Sequence, residues 1–198
     1  VGGETAQIDE QSLRERLTRL EAEVSRLTGA AGPIPIHAPT DAFASPATAV
    51  VTAEEGGRGR ALQMVLGEMR EVVAYDSASV QELRDGRRLT IVAGVGFADL
   101  DVIVGESFDI DNADNPNGEV IHRRRPLIVA DTEQYRAFRR GLHVGLNIRS
   151  WLGVPLIGRE QLLGMISLDK AEPDFYTVEH ERLALAFAAI IANILQAR

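Results

Sequence analysis

The chain has 198 residues, 45% hydrophobic but only 5% aromatic, enough for one domain plus appendages with a core of Val, Ile, Leu and Ala. A formal net charge of −8 argues against nucleic acid or an anionic membrane surface as a general partner. There is no cysteine, which excludes disulfides, thiol nucleophiles, thiolate metal sites and thioether-linked cofactors.

No apolar run approaches the roughly 18–20 residues that span a bilayer. Val1-Gly2-Gly3-Glu4 carries no charged-then-apolar signal pattern. A cytoplasmic location is the default expectation.

Leu13, Leu17, Leu20, Val24 and Leu27 alternate spacings of four and three. On a heptad, Leu17 and Val24 take position a, and Leu13, Leu20 and Leu27 take position d. Arg16 at g would face Glu21 at e of a second helix. This predicts a short parallel coiled coil over residues 8–28 and a homodimer. An amphipathic helix lying on its own domain is the other reading of the same stripe. Gly29 is expected to end the helix. Residues 29–60 hold four of the eight prolines (Pro33, Pro35, Pro39 and Pro46) and no apolar period, which reads as a linker.

Residues 61–198 read as the folded domain. Leu62, Val65, Leu66, Met69, Val72 and Val73 make one helical stripe. Ser77–Leu83 and Leu89–Val95 are strands joined by a tight Asp85-Gly86 turn, with Leu89, Ile91, Ala93 and Val95 on one face. A loop-rich stretch follows to Asn117. Gly118–Arg125 and Glu133–Gly141 are expected as short helices, with the strand Leu127–Ala130 between them. Ser150–Ile157 and Gln161–Asp169 form a second hairpin, on which Trp151 is expected to be buried with its indole N–H bonded. Thr177–Gln196 is the final helix, with Thr177 as its cap. The order predicts an α+β fold. An antiparallel sheet carries the terminal helices on one face and a loop and short-helix ligand side on the other.

Several motifs fail. Gly94-Val95-Gly96 lacks the third glycine of a dinucleotide fingerprint and ends a hairpin strand. With Gly118 as central glycine of a calcium loop, the end positions are Ala113 and Arg124, which are not ligands.

Three segments resemble a GAF domain of the bacterial signal-transduction type. The first is Ser150-Trp151-Leu152-Gly153-Val154-Pro155-Leu156-Ile157, followed by Leu163-Gly164-Met165-Ile166-Ser167-Leu168-Asp169. The second is Gly118-Glu119-Val120-Ile121-His122 through Arg125-Pro126-Leu127-Ile128-Val129-Ala130-Asp131. The third is Phe175 with Thr177 and Glu179. The resemblance covers about residues 60–198. It implies a six-stranded sheet, a dimer through the terminal helices, and a regulatory role in a signalling protein with an output domain. That role is binding a small molecule or relaying conformational change. A dimerisation and transmission module without a ligand is the alternative.

The enzymatic version of the fold, free-methionine-sulfoxide reductase, uses cysteine, so no catalysis is expected. A covalent bilin is excluded on the same ground. Haem is disfavoured, although His122 and His143 lie where an axial ligand would sit. The cyclic-nucleotide motif of the family falls on Asp169-Lys170, Phe175 and Glu179-His180, where only Lys170 and Phe175 are kept. Cyclic nucleotide is therefore disfavoured too, and a Lys170–Glu179 ion pair pinning the last helix is expected instead. Carried over by position, the family's pocket implies ligand contacts at Ser79, Val95, Asn117 and Arg139. Their plainer readings are a strand residue, a turn residue and a solvated charge.

Overall fold

The computed structural model describes residues 9–28, 55–112, 115–138 and 147–197. Asp9 opens α1 (Glu10–Thr28), its carboxylate accepting from the backbone N–H and hydroxyl of Ser12 at 2.9 and 2.6 Å. α2 (Glu55–Arg70) begins ahead of the expected domain boundary. Val72 and Val73 lie beyond its end, in the turn that leads to the sheet.

β1 (Ser77–Arg84) and β2 (Arg88–Val95) join through Asp85 and Gly86, both at positive φ as a tight hairpin requires. The stretch read as loop holds two small elements. α3 (Leu100–Ile103) is capped by the Asp99 carboxylate, and β3 (Ser107–Asp109) pairs with the outer edge of β2. Both are too short to show a period.

α4 (Pro116–Arg123) starts before the expected Gly118, because Asn115 caps it and Pro116 suits its first turn. It stops at Arg124, which adopts a left-handed conformation. After β4 (Leu127–Val129), the predicted helix over Glu133–Gly141 does not form within its described part. Asp131 instead accepts from Glu133 N and from the side chain of Gln134, holding the chain in turns. Residues 139–141 lie outside the described residues. β5 (Ser150–Gly158), β6 (Gln161–Lys170) and α5 (Val178–Gln196) match the sequence reading, with Thr177 and His180 forming a reciprocal cap.

The sheet has six antiparallel strands in the order β3-β2-β1-β6-β5-β4. Its two faces carry separate cores. Ala78, Val80, Leu152, Val154, Ile166 and Leu168 pack under α2 and α5. Leu89, Val129, Trp151 and Met165 pack under Val120 and Ile121 of α4.

One predicted face is split. β1 and β2 slip register between Val80 and Gln81: Val80 opposes Ala93, but Gln81 opposes Ile91. Val92 is the extra residue of a bulge, so Leu89 and Ile91 look toward α4 while Ala93 and Val95 look toward the helices.

α1 packs on α2 and α5 of its own chain. Leu13, Leu17, Leu20 and Val24 are buried there. Arg16 pairs with Glu68 of α2 at 3.2 Å. No helix among the described residues is long and apolar enough to cross a membrane.

Gly118 presses α4 against the chain ahead of it. A Cβ there would collide with the carbonyl oxygen of Ile110. Gly118→Ala should therefore lower stability by about 1–3 kcal/mol, although alanine is the better helix former by roughly 1 kcal/mol. Urea unfolding checks this; an unchanged or raised midpoint would show that α4 sits further out.

Candidate functional site

Antiparallel partners point the same way, so the register lays out the α4 side of the sheet residue by residue. One row across four strands is Gly94, Ser79, Ser167 and Gly153. No side chain in it extends beyond a hydroxymethyl group. The row is a trough in the sheet surface.

Both ends of the trough are covered. The Trp151 indole lies over Gly153, where a Cβ would also crowd Val120. The Phe97 ring lies over Gly94, 2.9 Å from where a Cβ would stand, with Leu100 beside it. Ser79 and Ser167 form the floor between them.

The floor is polar, and its groups are bonded to one another. Asn117 Nδ2 donates to Gln81 Oε1 at 2.9 Å, and Gln81 Nε2 donates to Ser79 Oγ at 3.1 Å. Trp151 Nε1 donates to Ser167 Oγ at 2.6 Å, as its predicted burial requires. Ser77 Oγ donates to Asp169 Oδ2 at 2.6 Å, and Ser167 Oγ makes a long 3.5 Å contact to Asp169 Oδ1. Ser77, Ser79, Gln81, Asn117, Ser167 and Asp169 are all buried. Burial pushes the Asp169 carboxyl up to about 7, against the Ser77 and Ser167 hydroxyls, which favour its charged form.

Asp131, just after β4, and Arg149, just before β5, form a clasp. Arg149 grips Asp131 with two hydrogen bonds, at 3.2 and 3.0 Å, and holds its carboxyl below the usual range. Thr132 Oγ1 donates to Ile148 O at 2.6 Å.

A family model described as GAF domain matches residues 58–196. The chain belongs to the GAF family. Solved structures share the fold at low identity. A GAF domain from a phosphoenolpyruvate-protein phosphotransferase of Coxiella burnetii is 19% identical, with TM-score 0.66, covering 92% of this chain and 91% of that one. The corresponding Acinetobacter domain is 16% identical, with TM-score 0.66 and coverage of 95% and 94%. Free methionine-R-sulfoxide reductase from Neisseria meningitidis, solved with its substrate, is 12% identical, with TM-score 0.62 and coverage of 99% and 95%. No curated protein sequence matches the chain.

Of the residues expected to contact a ligand in this GAF domain, Ser79 and Asn117 come together through Gln81. Val95 does not join them. It is the cross-strand partner of Ala78 and packs with the helix-side core, because the Val92 bulge turned it over. Arg139 and His143 lie outside the described residues. His122 is exposed, 3.3 Å from Asp111, and lines two open depressions of about 530 and 330 Å³. Among the described residues, no group of three or more His, Asp or Glu could hold a metal ion.

The Lys170–Glu179 ion pair is not formed. Lys170 ends β6, opposite the start of β1, so its ammonium reaches Asp76 at 2.8 Å. Glu179 pairs with Arg182 one turn along α5. Lys170 and Phe175 still tie β6 to α5: the ammonium stands 5.0 Å from the Phe175 ring centre, and that ring stacks on His180 at 5.3 Å.

Sequence reasoning missed Ser77, Gln81, Ser167 and Asp169 as members of the site. A signal was present: polar residues alternate at 77, 79 and 81 on one strand and at 167 and 169 on another.

Asp169 yields a pH prediction. Its folded carboxyl keeps a proton that the unfolded chain has lost, so its contribution is fully present below 3.8, the ordinary value of an aspartate. That contribution falls as pH rises toward about 7 and levels off beyond. Asp169→Asn should remove this fall, gaining stability at pH 8 relative to pH 5. Parallel pH slopes for the two proteins in urea unfolding would refute the buried carboxyl. Trp151→Ala should cost roughly 3–5 kcal/mol; red-shifted native fluorescence readily quenched by iodide would contradict the burial on which that figure rests.

Proposed function

We propose that this GAF domain, a member of a mainly regulatory family, is a cytoplasmic, non-catalytic sensor that acts as a homodimer ahead of a signalling output domain or protein, and that it binds a small molecule over the Ser79–Ser167 trough. The observation that carries this reading is the buried polar floor. A sheet face that only needed covering would be cheaper to build from apolar residues, since each buried polar group must be matched. Here the Ser79 and Ser167 hydroxyls lie between two aromatic rings, and Gln81 links Ser79 to Asn117 of α4. The absence of cysteine separates the chain from thiol-based reductase chemistry on this scaffold.

The route to an output runs through β5 and α5. α5 packs directly on β5, which carries Trp151 and Gly153 at one end of the trough. A ligand that shifts the Trp151 ring acts on the strand beneath α5, and a coupling of about 1–3 kcal/mol is sufficient.

A module that dimerises and transmits without a ligand is the second reading. It is favoured by the two rings that already cover both ends of the trough.

Native mass spectrometry of freshly purified full chain separates the two. The sensor reading expects a small-molecule adduct that is lost on denaturation and absent from Ser79→Leu, whose fold is checked by circular dichroism. Adding the released molecule back should slow hydrogen exchange in residues 77–83 and 97–147. No adduct, or protection confined to α1 and residues 29–54, would leave the transmitter reading in its place.

A further inference from the structure

α1 carries two faces that do not coincide. The heptad seam runs Leu13, Leu17, Leu20, Val24 and Leu27. The buried face of α1 shares the first four, then diverges: Glu21, Ser25 and Thr28 are buried as well, and Leu27 is only partly covered. The reason is geometric. A straight helix repeats every 3.6 residues, so its buried stripe drifts away from a strict seven-residue repeat.

The packed state suits Glu21 poorly. Glu21 is 4% exposed, and no hydrogen bond or ion pair reaches it from the described residues. Burial pushes its carboxyl up to about 7, and no cation among the described residues pairs with it. Arg16 meanwhile pairs with half-exposed Glu68, a contact worth little in water.

We propose that α1 is an exchangeable helix, which leaves α2 and α5 to form a parallel two-stranded coiled coil with α1 of a second copy. This rests on the homodimer reading above. In the coil Leu27 enters the seam at d. Glu21 and Thr28 move to e, at its edge, and Ser25 moves to b, facing water. Arg16 at g then meets Glu21 at e of the partner helix. Glu21 and Leu27, the two residues that the packed state places poorly, each have a suitable place in the coil.

The two states use the same four apolar side chains, so they exclude each other. Release also uncovers apolar surface on α2 and α5, which keeps the packed state as the resting one. A bistable helix of this kind is shifted by modest differences in binding free energy. Because α1 lies on α5, and α5 lies on β5, the exchange is mechanically joined to the trough.

The cysteine-free chain allows a direct test. Leu27→Cys places a thiol at d; Ala22→Cys places one on the outer face. Leu27 is partly covered and Ala22 exposed, so both variants should fold. In the full chain under mild oxidation, Leu27→Cys should form disulfide-linked dimers several-fold faster than Ala22→Cys. Adding Glu21→Leu, which relieves the packed state, should slow that cross-linking several-fold. Sedimentation of the unsubstituted chain supplies the control. A monomer throughout the micromolar range would overturn both the exchange and the homodimer, leaving the trough reading untouched. A stable dimer in which the two cysteines cross-link equally would overturn the exchange alone.

Discussion

Ser79 and Ser167 face each other across the central pair of strands, with glycines beyond them on both sides. That row is the constraint on which the α4 side of the domain depends. Four small residues side by side leave room above the sheet for larger side chains to fold over them. Trp151 fills part of it by folding back over Gly153, the only residue type that leaves room for the ring. The indole N–H must then find an acceptor, and Ser167 supplies it. The Ser167 hydroxyl in turn lies beside Asp169, which Ser77 also supports. A tryptophan, a glycine, two serines and a buried carboxyl are thus one interlocked choice.

The opposite face is made of different material. There the inward positions are Ala, Val, Leu and Ile, and α2 and α5 lie on them without a polar layer. A dry, closely packed interface transmits displacement because it has little slack. The sheet thus has a polar floor on one side and a stiff helical layer on the other.

The scaffold does not fix the chemistry. The same fold carries GAF domains of phosphotransferase proteins and free methionine-R-sulfoxide reductases, at identities between 12% and 19% in the structures compared. What differs is the side chains placed on the sheet, and function has to be argued from those. Here they are hydroxyls, amides and one carboxyl, with no thiol anywhere in the chain.

The sequence by itself determined the antiparallel hairpins, the helix cap at Thr177, the burial of Trp151 and the α+β order. These follow from local signals: turn residues, period, capping groups and the size of a side chain. It also placed Ser79 and Asn117 in one region. Tertiary structure decided the rest. Val95 turned to the helix side because a single extra residue, Val92, reverses every side chain beyond it, and β1 and β2 reveal that slip only when paired. Lys170 chose Asp76 over Glu179 because strand pairing, not sequence distance, sets which charges meet. The trough is invisible along the chain, since its four residues come from four strands. The Leu stripe of α1 fixed an amphipathic helix but not what covers it, because a stripe of leucines fits its own domain and a second helix equally well.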